Sequence, residues 1–301
     1  MVTNLGIFAQ ISYLWGYKST ITMEKKIKAA LIYDFDGTLS PGNMQEYGFI
    51  ASVGKSNEEF WQESNVLADI HDADPILSYM LKMLEHASKT GVPIKREAFR
   101  ETGRNIQLYS GVKEWFCRIN RYGEERGIEI LHYINSSGLK EIIEGSPIAH
   151  EFKKIYACEF LYNENGDAYW PAVAVNYTNK TQFIYKINKG VDSVSDSHLV
   201  NAYVPDAERP VPFEHMIYVG DGTTDIPCMR LVSDRRGHSI GVYDPSSENG
   251  YRKTKLLLEQ NRCSMISPAD YTEGGRMDIL VRTILDKIAT DARIAELSKE
   301  A

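Results

Sequence analysis

The sequence has no run of about 18 apolar residues, so no membrane-spanning helix is predicted. It holds only four cysteines, at positions 117, 158, 228 and 263, and no CxxC pair. Neither a zinc module nor a disulfide framework is signalled, and free thiols in a reducing cytoplasm fit better. An excess of positive charge is also missing. Lys+Arg number 34 against 41 Asp+Glu, a net charge of −7. That argues against nucleic acid or an anionic membrane as partner, since either wants a basic face. A small anionic substrate stays open, because one site can gather its own cations. The seven histidines form no HxH or HExxH spacing, and no internal repeat appears. Residues 1–22 lack a basic start, and Gly6, Gln10, Ser12 and Gly16 interrupt any apolar core, which argues against a signal peptide. Met23-Glu24-Lys25-Lys26 resembles a second start. Residues 1–27 are therefore expected to be a leader outside the fold, poorly ordered or a misplaced start.

What is present is an ordinary globular composition, with 43% hydrophobic and 25% charged residues in 301. Residues 28–34 read as a buried strand ending in Asp34. Helical patterning follows over 57–68. Asp74-Pro75 is an N-cap with proline at the first helical position, and Gly91 closes that helix. A further helix is predicted over 95–102. Strand and helix then alternate: helix from Val112, strand 128–134, helix from Ser137, a hairpin over 155–175 and a helix over 179–188. Strand 217–220, helix 225–232, strand 239–243 and helices over 251–261 and 275–297 complete the pattern. Residues 189–213 form a long polar loop. The alternation predicts an α/β fold with a mostly parallel sheet, built from 28–42 and 109–301. Residues 43–108 are predicted to be a helical cap inserted after the first strand, with Gly and Pro at both crossings suiting a hinge.

In such a sheet, ligands bind beyond the carboxyl ends of the strands. Three polar signals lie there: Asp34-Phe35-Asp36-Gly37-Thr38, Asn135-Ser136-Ser137-Gly138, and Gly220-Asp221-Gly222-Thr223-Thr224-Asp225. Carboxylates gathered at one sheet edge repel one another and call for a hard cation such as Mg²⁺. A carboxylate beside that ion can attack phosphorus. Ser136 and nearby backbone N–H groups could hold phosphate oxygens. A lysine would balance the charge.

These motifs resemble the haloacid dehalogenase (HAD) superfamily of phosphatases, over about residues 28–243. The order Asp34-Phe35-Asp36-Gly37-Thr38, then Ser136, then Asp221 with Asp225 four residues on, matches three of the family's motifs. The resemblance implies a Rossmann-like core, Mg²⁺, Asp34 as nucleophile and Asp36 as general acid/base. It implies Asp34, the backbone carbonyl of Asp36, and Asp221 as metal ligands, with Asp225 a ligand or a partner beyond it. Ser136, Ser137, Gly138 and a lysine would hold phosphate. Lys180 stands at the family position, with Lys186 and Lys189 as competitors. The spacing Ser136-Ser137-Gly138-Leu139-Lys140 is similar to phosphoserine-phosphatase-like members.

The expected activity is hydrolysis of a small phosphorylated metabolite through an aspartyl-phosphate. The alternatives are a phosphomutase or phosphotransferase of the same fold, or a non-catalytic module binding a phospholigand. Lys140 and His71 read as solvated surface. Trp61 and Tyr79 read as cap core, while Tyr47 and Phe49, close to the first motif, could line the entrance. Neither the substrate nor the oligomeric state is fixed by the sequence.

Overall fold

The computed structural model describes residues 26–298. The proposed leader lies outside them but for its last two residues, and the first strand begins at Ile27. Seven strands form one sheet: β1 (Ile27–Tyr33), β2 (Ile128–Leu139), β3 (Lys154–Tyr162), β4 (Ala168–Val173), β5 (Met216–Gly220), β6 (His238–Tyr243) and β7 (Met265–Pro268). The spatial order is β4-β3-β2-β1-β5-β6-β7. All pairs are parallel except the β3–β4 hairpin. β1 is buried from Ala29 to Tyr33, its apolar run Ala-Ala-Leu-Ile-Tyr. The chain leaves β1 toward β2 on one side and β5 on the other. This switch point puts the three motif-bearing strand ends side by side.

After β1 comes a 3₁₀ turn at Met44–Tyr47, then α1 (Phe49–Ser52), α2 (Asn57–His71), α3 (Pro75–Thr90) and α4 (Arg96–Gly103). Ser56 and Glu59 form a capping box on α2. Asp74 caps α3 at the Ile76 and Leu77 N–H groups, and Gly91 ends it in the left-handed region, as the sequence predicts. The insertion's two ends are tied where the Tyr109 N–H donates to the Leu39 carbonyl at 3.0 Å.

The remaining helices are α5 (Val112–Glu124), α6 (Lys140–Gly145), α7 (Lys180–Lys189), α8 (Ser197–Asn201), α9 (Ile226–Asp234), α10 (Glu248–Glu259) and α11 (Arg276–Leu297). α4 crosses α6 backbone to backbone. An added Cβ on Gly103 would overlap the Ile142 carbonyl oxygen, and one on Gly145 the Arg100 carbonyl oxygen. Around this crossing Phe99 stacks on Phe160, Arg100 pairs with Glu144 at 2.7 Å and Arg96 with Glu159 at 3.0 Å. The buried apolar cluster runs unbroken from the sheet into the insertion, through Phe49, Phe60, Met80 and Met83.

Three elements depart from the sequence reading. β2 continues to Leu139, and the helix expected from Ser137 starts at Lys140. Ser136, Ser137 and Gly138 together stand opposite Ala157 alone, a bulge that the polar composition disguised as a turn. β7 was not anticipated, since Met-Ile-Ser-Pro is too short to show a period. The loop at 189–213 contains α8.

Candidate active site

Asp34 ends β1, its N–H bonded to the Val219 carbonyl at 2.9 Å, which fixes the ends of β1 and β5 together. The chain then turns tightly. The Gly37 N–H donates to the Ser40 carbonyl at 2.7 Å, with φ of +70°. Glycine is required twice over here, because a Cβ would also overlap the Asp221 carboxylate. The first motif and the loop after β5 are thus in contact.

Asp36 Oδ1 accepts the Met44 N–H at 2.9 Å. The Ser136 hydroxyl accepts the Gly138 N–H at 3.0 Å, shaping the bulge. The Ser137 carbonyl accepts the Tyr79 hydroxyl of α3 at 2.8 Å, while the Ser137 hydroxyl is buried without a partner.

Lys180 opens α7 and is fully buried. Its Nζ lies 2.7 Å from Asp225 Oδ1 and 3.2 Å from Asp34 Oδ1. Lys186 instead donates to the Ser193 and Asp196 carbonyls, and Lys189 to those of Val200 and Ala202. Those two lysines hold the 189–213 segment, so Lys180 alone of the three candidates meets the carboxylates. Asp225 also accepts the Tyr218 hydroxyl on Oδ1 at 2.7 Å and the Gly222 N–H on Oδ2 at 3.1 Å.

Asp34, Asp221 and Asp225 each present a carboxylate oxygen within 4.8 Å of the others. This all-oxygen donor set fits a hard divalent cation. Burial, helped by the Asp225 charge and opposed by Lys180, pushes Asp34 up to about 6. Asp36 is held well above the usual carboxylate range, first by burial and then by Asp34. Asp221 is raised likewise, by burial and then by Asp34 and Asp225. One lysine among this many carboxylates leaves a surplus of negative charge.

The site opens into a cavity of about 940 Å³. Asp34, Asp36, Ser136, Ser137, Gly138 and Asp221 line it. The insertion contributes Asn43, Gln45, Trp61, Ile76 and Tyr79 to its wall. Trp61 and Tyr79 pack in the core of the insertion, as read from sequence, and also border the site. Phe49 is buried in the core, and Tyr47 donates to the Pro41 carbonyl. His71 is exposed, and Lys140 pairs with Glu159 at 2.8 Å. Gln45, Tyr109 and Tyr218 escaped the sequence reading, because no motif marks them.

A family model described as "Putative Phosphatase" matches residues 29–237. The chain belongs to that family. This phosphatase is 29% identical over 296 residues to an uncharacterized protein of Borreliella burgdorferi, covering 88% of this chain and 98% of that one. It is 24% identical over 211 residues to a phosphoethanolamine/phosphocholine phosphatase of Gallus gallus, covering 68% and 71%. Among solved structures it resembles a HAD family hydrolase of Salmonella enterica serovar Typhi, with a TM-score of 0.55, 12% identity and coverage of 86% and 72%. It also resembles a substrate-bound phosphoserine phosphatase, with a TM-score of 0.50, 12% identity and coverage of 80% and 93%. The fold is HAD-like, and the protein is a phosphatase of that fold. No helix among the described residues is long and apolar enough to cross a membrane.

Proposed function

We propose that the protein is a Mg²⁺-dependent phosphomonoester hydrolase working through an aspartyl-phosphate on Asp34. The observation that carries this reading is the buried contact of Lys180 with Asp34 at the cavity wall, beside Asp36. Asp34 and Asp221, with the Asp36 backbone carbonyl, would hold the metal, which when bound neutralises the carboxylates and the phosphoryl oxygens. Asp225 has both oxygens occupied by Lys180, Tyr218 and the Gly222 N–H, which favours the role of lysine counter-ion over that of ligand.

The Asp34 carboxylate attacks phosphorus and the ester oxygen departs with the proton of Asp36. The environment of Asp36 favours its protonated form before that step. Asp36, now ionised, takes a proton from water. The resulting hydroxide attacks phosphorus and releases Asp34 and inorganic phosphate. Lys180 and the Ser136 hydroxyl stabilise charge on the phosphoryl oxygens, and the Ser137 and Gly138 backbone shapes their seat.

The insertion places no lysine or arginine on the cavity wall. A carboxylate on the leaving group would meet no cation on that side, where neutral or cationic groups fit, while Lys253 and Arg262 line the cavity from the core side. The similarity to the avian phosphoethanolamine/phosphocholine phosphatase supports the same class. The test is release of phosphate from p-nitrophenyl phosphate and small alkyl phosphates, with Mg²⁺ and with EDTA, together with acid-quench trapping of labelled phosphoenzyme. Turnover in EDTA, or no phosphoenzyme in any rapid-quench sample, would overturn the reading.

A further inference from the structure

The insertion reaches the bulge at Ser136–Gly138 through one hydroxyl. Tyr79, early in α3, is 4% exposed. Its hydroxyl donates to the Ser137 carbonyl at 2.8 Å. The Cys158 thiol of β3 donates to the same oxygen at 3.3 Å. On the other edge of that peptide unit, the Gly138 N–H donates to Ser136 Oγ at 3.0 Å. The unit is trans, so it is planar and its C=O and N–H point opposite ways. Holding the Ser137 oxygen therefore aims the Gly138 N–H, and with it the Ser136 hydroxyl. A hydroxyl that accepts this N–H keeps its own proton free to donate. Hydrogen bonds in series also polarise one another, so the Tyr79 bond makes Ser136 a better donor. The tyrosine is itself held. Its ring meets Trp61 edge-on at 5.9 Å between centroids, and Trp61 Nε1 donates to Glu46 Oε1 at 2.8 Å. Nearby, the Asp74 carboxylate that caps α3 accepts the Asn176 side-chain N–H at 2.7 Å, a second tie between α3 and the core.

We propose that Tyr79 is a positioning residue for phosphoryl transfer. It acts through the Ser137–Gly138 peptide and sets the Ser136 hydroxyl against the phosphoryl oxygens. This rests on the hydrolase reading above and concerns the phosphoryl seat, which every ester shares, rather than the alcohol. The insertion thus takes part in the transfer step through a side chain that acts on the seat from behind.

Tyr79→Phe removes the hydroxyl and keeps the ring against Trp61. It should lower kcat/KM about 10- to 100-fold, and by the same factor for p-nitrophenyl phosphate and an alkyl phosphate. The inhibition constant of inorganic phosphate does not depend on how much of a preparation is folded, and it should rise about 5-fold. In a Ser136→Ala background the same substitution should change kcat/KM by less than about 3-fold, because the path then ends on a methyl group. Cys158→Ala removes the weaker donor to the same oxygen. It should cost about 2- to 5-fold with the same dependence on Ser136, and it serves as the test if Tyr79→Phe does not fold. A loss confined to one ester would place the Tyr79 hydroxyl on the alcohol. Equal losses with and without Ser136 would make its role structural. Either result, or full activity of Tyr79→Phe, would overturn the inference and leave the hydrolase reading standing. No hydrolysis of any ester by the parent would overturn both.

Discussion

Lys180 and Asp225 form an ion pair, 2.7 Å long, in which neither side chain is accessible to solvent. Among the described residues, Lys180 is also the one cation in contact with Asp34. Burial alone would strip its proton. The Asp225 and Asp34 charges outweigh that and hold the lysine firmly charged. Removing one partner of a buried pair strands the other, at a cost of about 3–5 kcal/mol. Asp225→Ala should therefore lower stability by about that amount in urea titrations. Tyr218→Phe leaves the pair but removes one donor and should cost about 1 kcal/mol. Equal, small losses in both variants would mean that the pair is not the strut it looks to be.

The two carboxylates of the first motif should separate by leaving group. With Asp34 as the proposed nucleophile, Asp34→Asn should fail on all phosphate esters alike. With Asp36 as the proposed proton donor, Asp36→Asn should cost about 10²–10⁴-fold for a basic alkoxide. p-Nitrophenolate departs without that proton and should be spared in the phosphorylation step. Pre-steady-state rates on an alkyl and an aryl ester would read this, and a uniform loss would reassign Asp36.

Metal binding should depend on pH in a defined direction. Asp34 titrates near about 6 in the folded protein and Asp36 and Asp221 are raised well above the usual range. The folded state thus keeps protons that the unfolded chain releases, and that stabilising increment is lost as pH rises through the folded values. A cation replaces those protons. The rise in Tm caused by Mg²⁺ should grow between about pH 5 and pH 7.5. Asp221→Asn should raise the Tm of metal-free protein and shrink its response to Mg²⁺, as scanning calorimetry would report.

His132 should set part of the acid sensitivity. It is buried between the Tyr33 hydroxyl at 3.1 Å and Asn120 Oδ1 at 2.9 Å, and burial depresses it to about 3. Across the window from about 6.5 down to about 3 the unfolded chain binds a proton that the folded one refuses. Stability contributed by the neutral ring is present above that window and lost within it, about 2 kcal/mol by pH 5. His132→Gln should flatten the pH dependence by roughly this amount, whatever it does to absolute stability.

The mostly parallel sheet and the three motif-bearing loops were legible because each motif ends a strongly apolar strand, whereas the order of the strands and β7 were not. The helix caps at Ser56 and Asp74 follow from local chemistry alone, as Asp74-Pro75 shows in the sequence itself. Other features depend on distance in sequence. Ser136 to Gly138 read as a helix start, because only pairing with β3 turns them into a bulge. Trp61 and Tyr79 do pack as core, but nothing local says that they also border a cavity. The choice among Lys180, Lys186 and Lys189 needed the third dimension: one points to Asp34, and the others tie down a loop that the sequence left shapeless.

The crossing at Gly103 and Gly145 has a reach that its place in the fold conceals. Neither glycine lines the cavity, yet α4 carries the 3₁₀ turn that holds Met44 and Gln45. Two absent methyl groups thereby set the height of the turn that clamps Asp36. An alanine at either position would act like a shim under that turn, altering selection and turnover from outside the pocket. Sequence drift in this lineage should therefore be freest on the outer faces of α2 and α3 and most constrained at a spot no substrate touches.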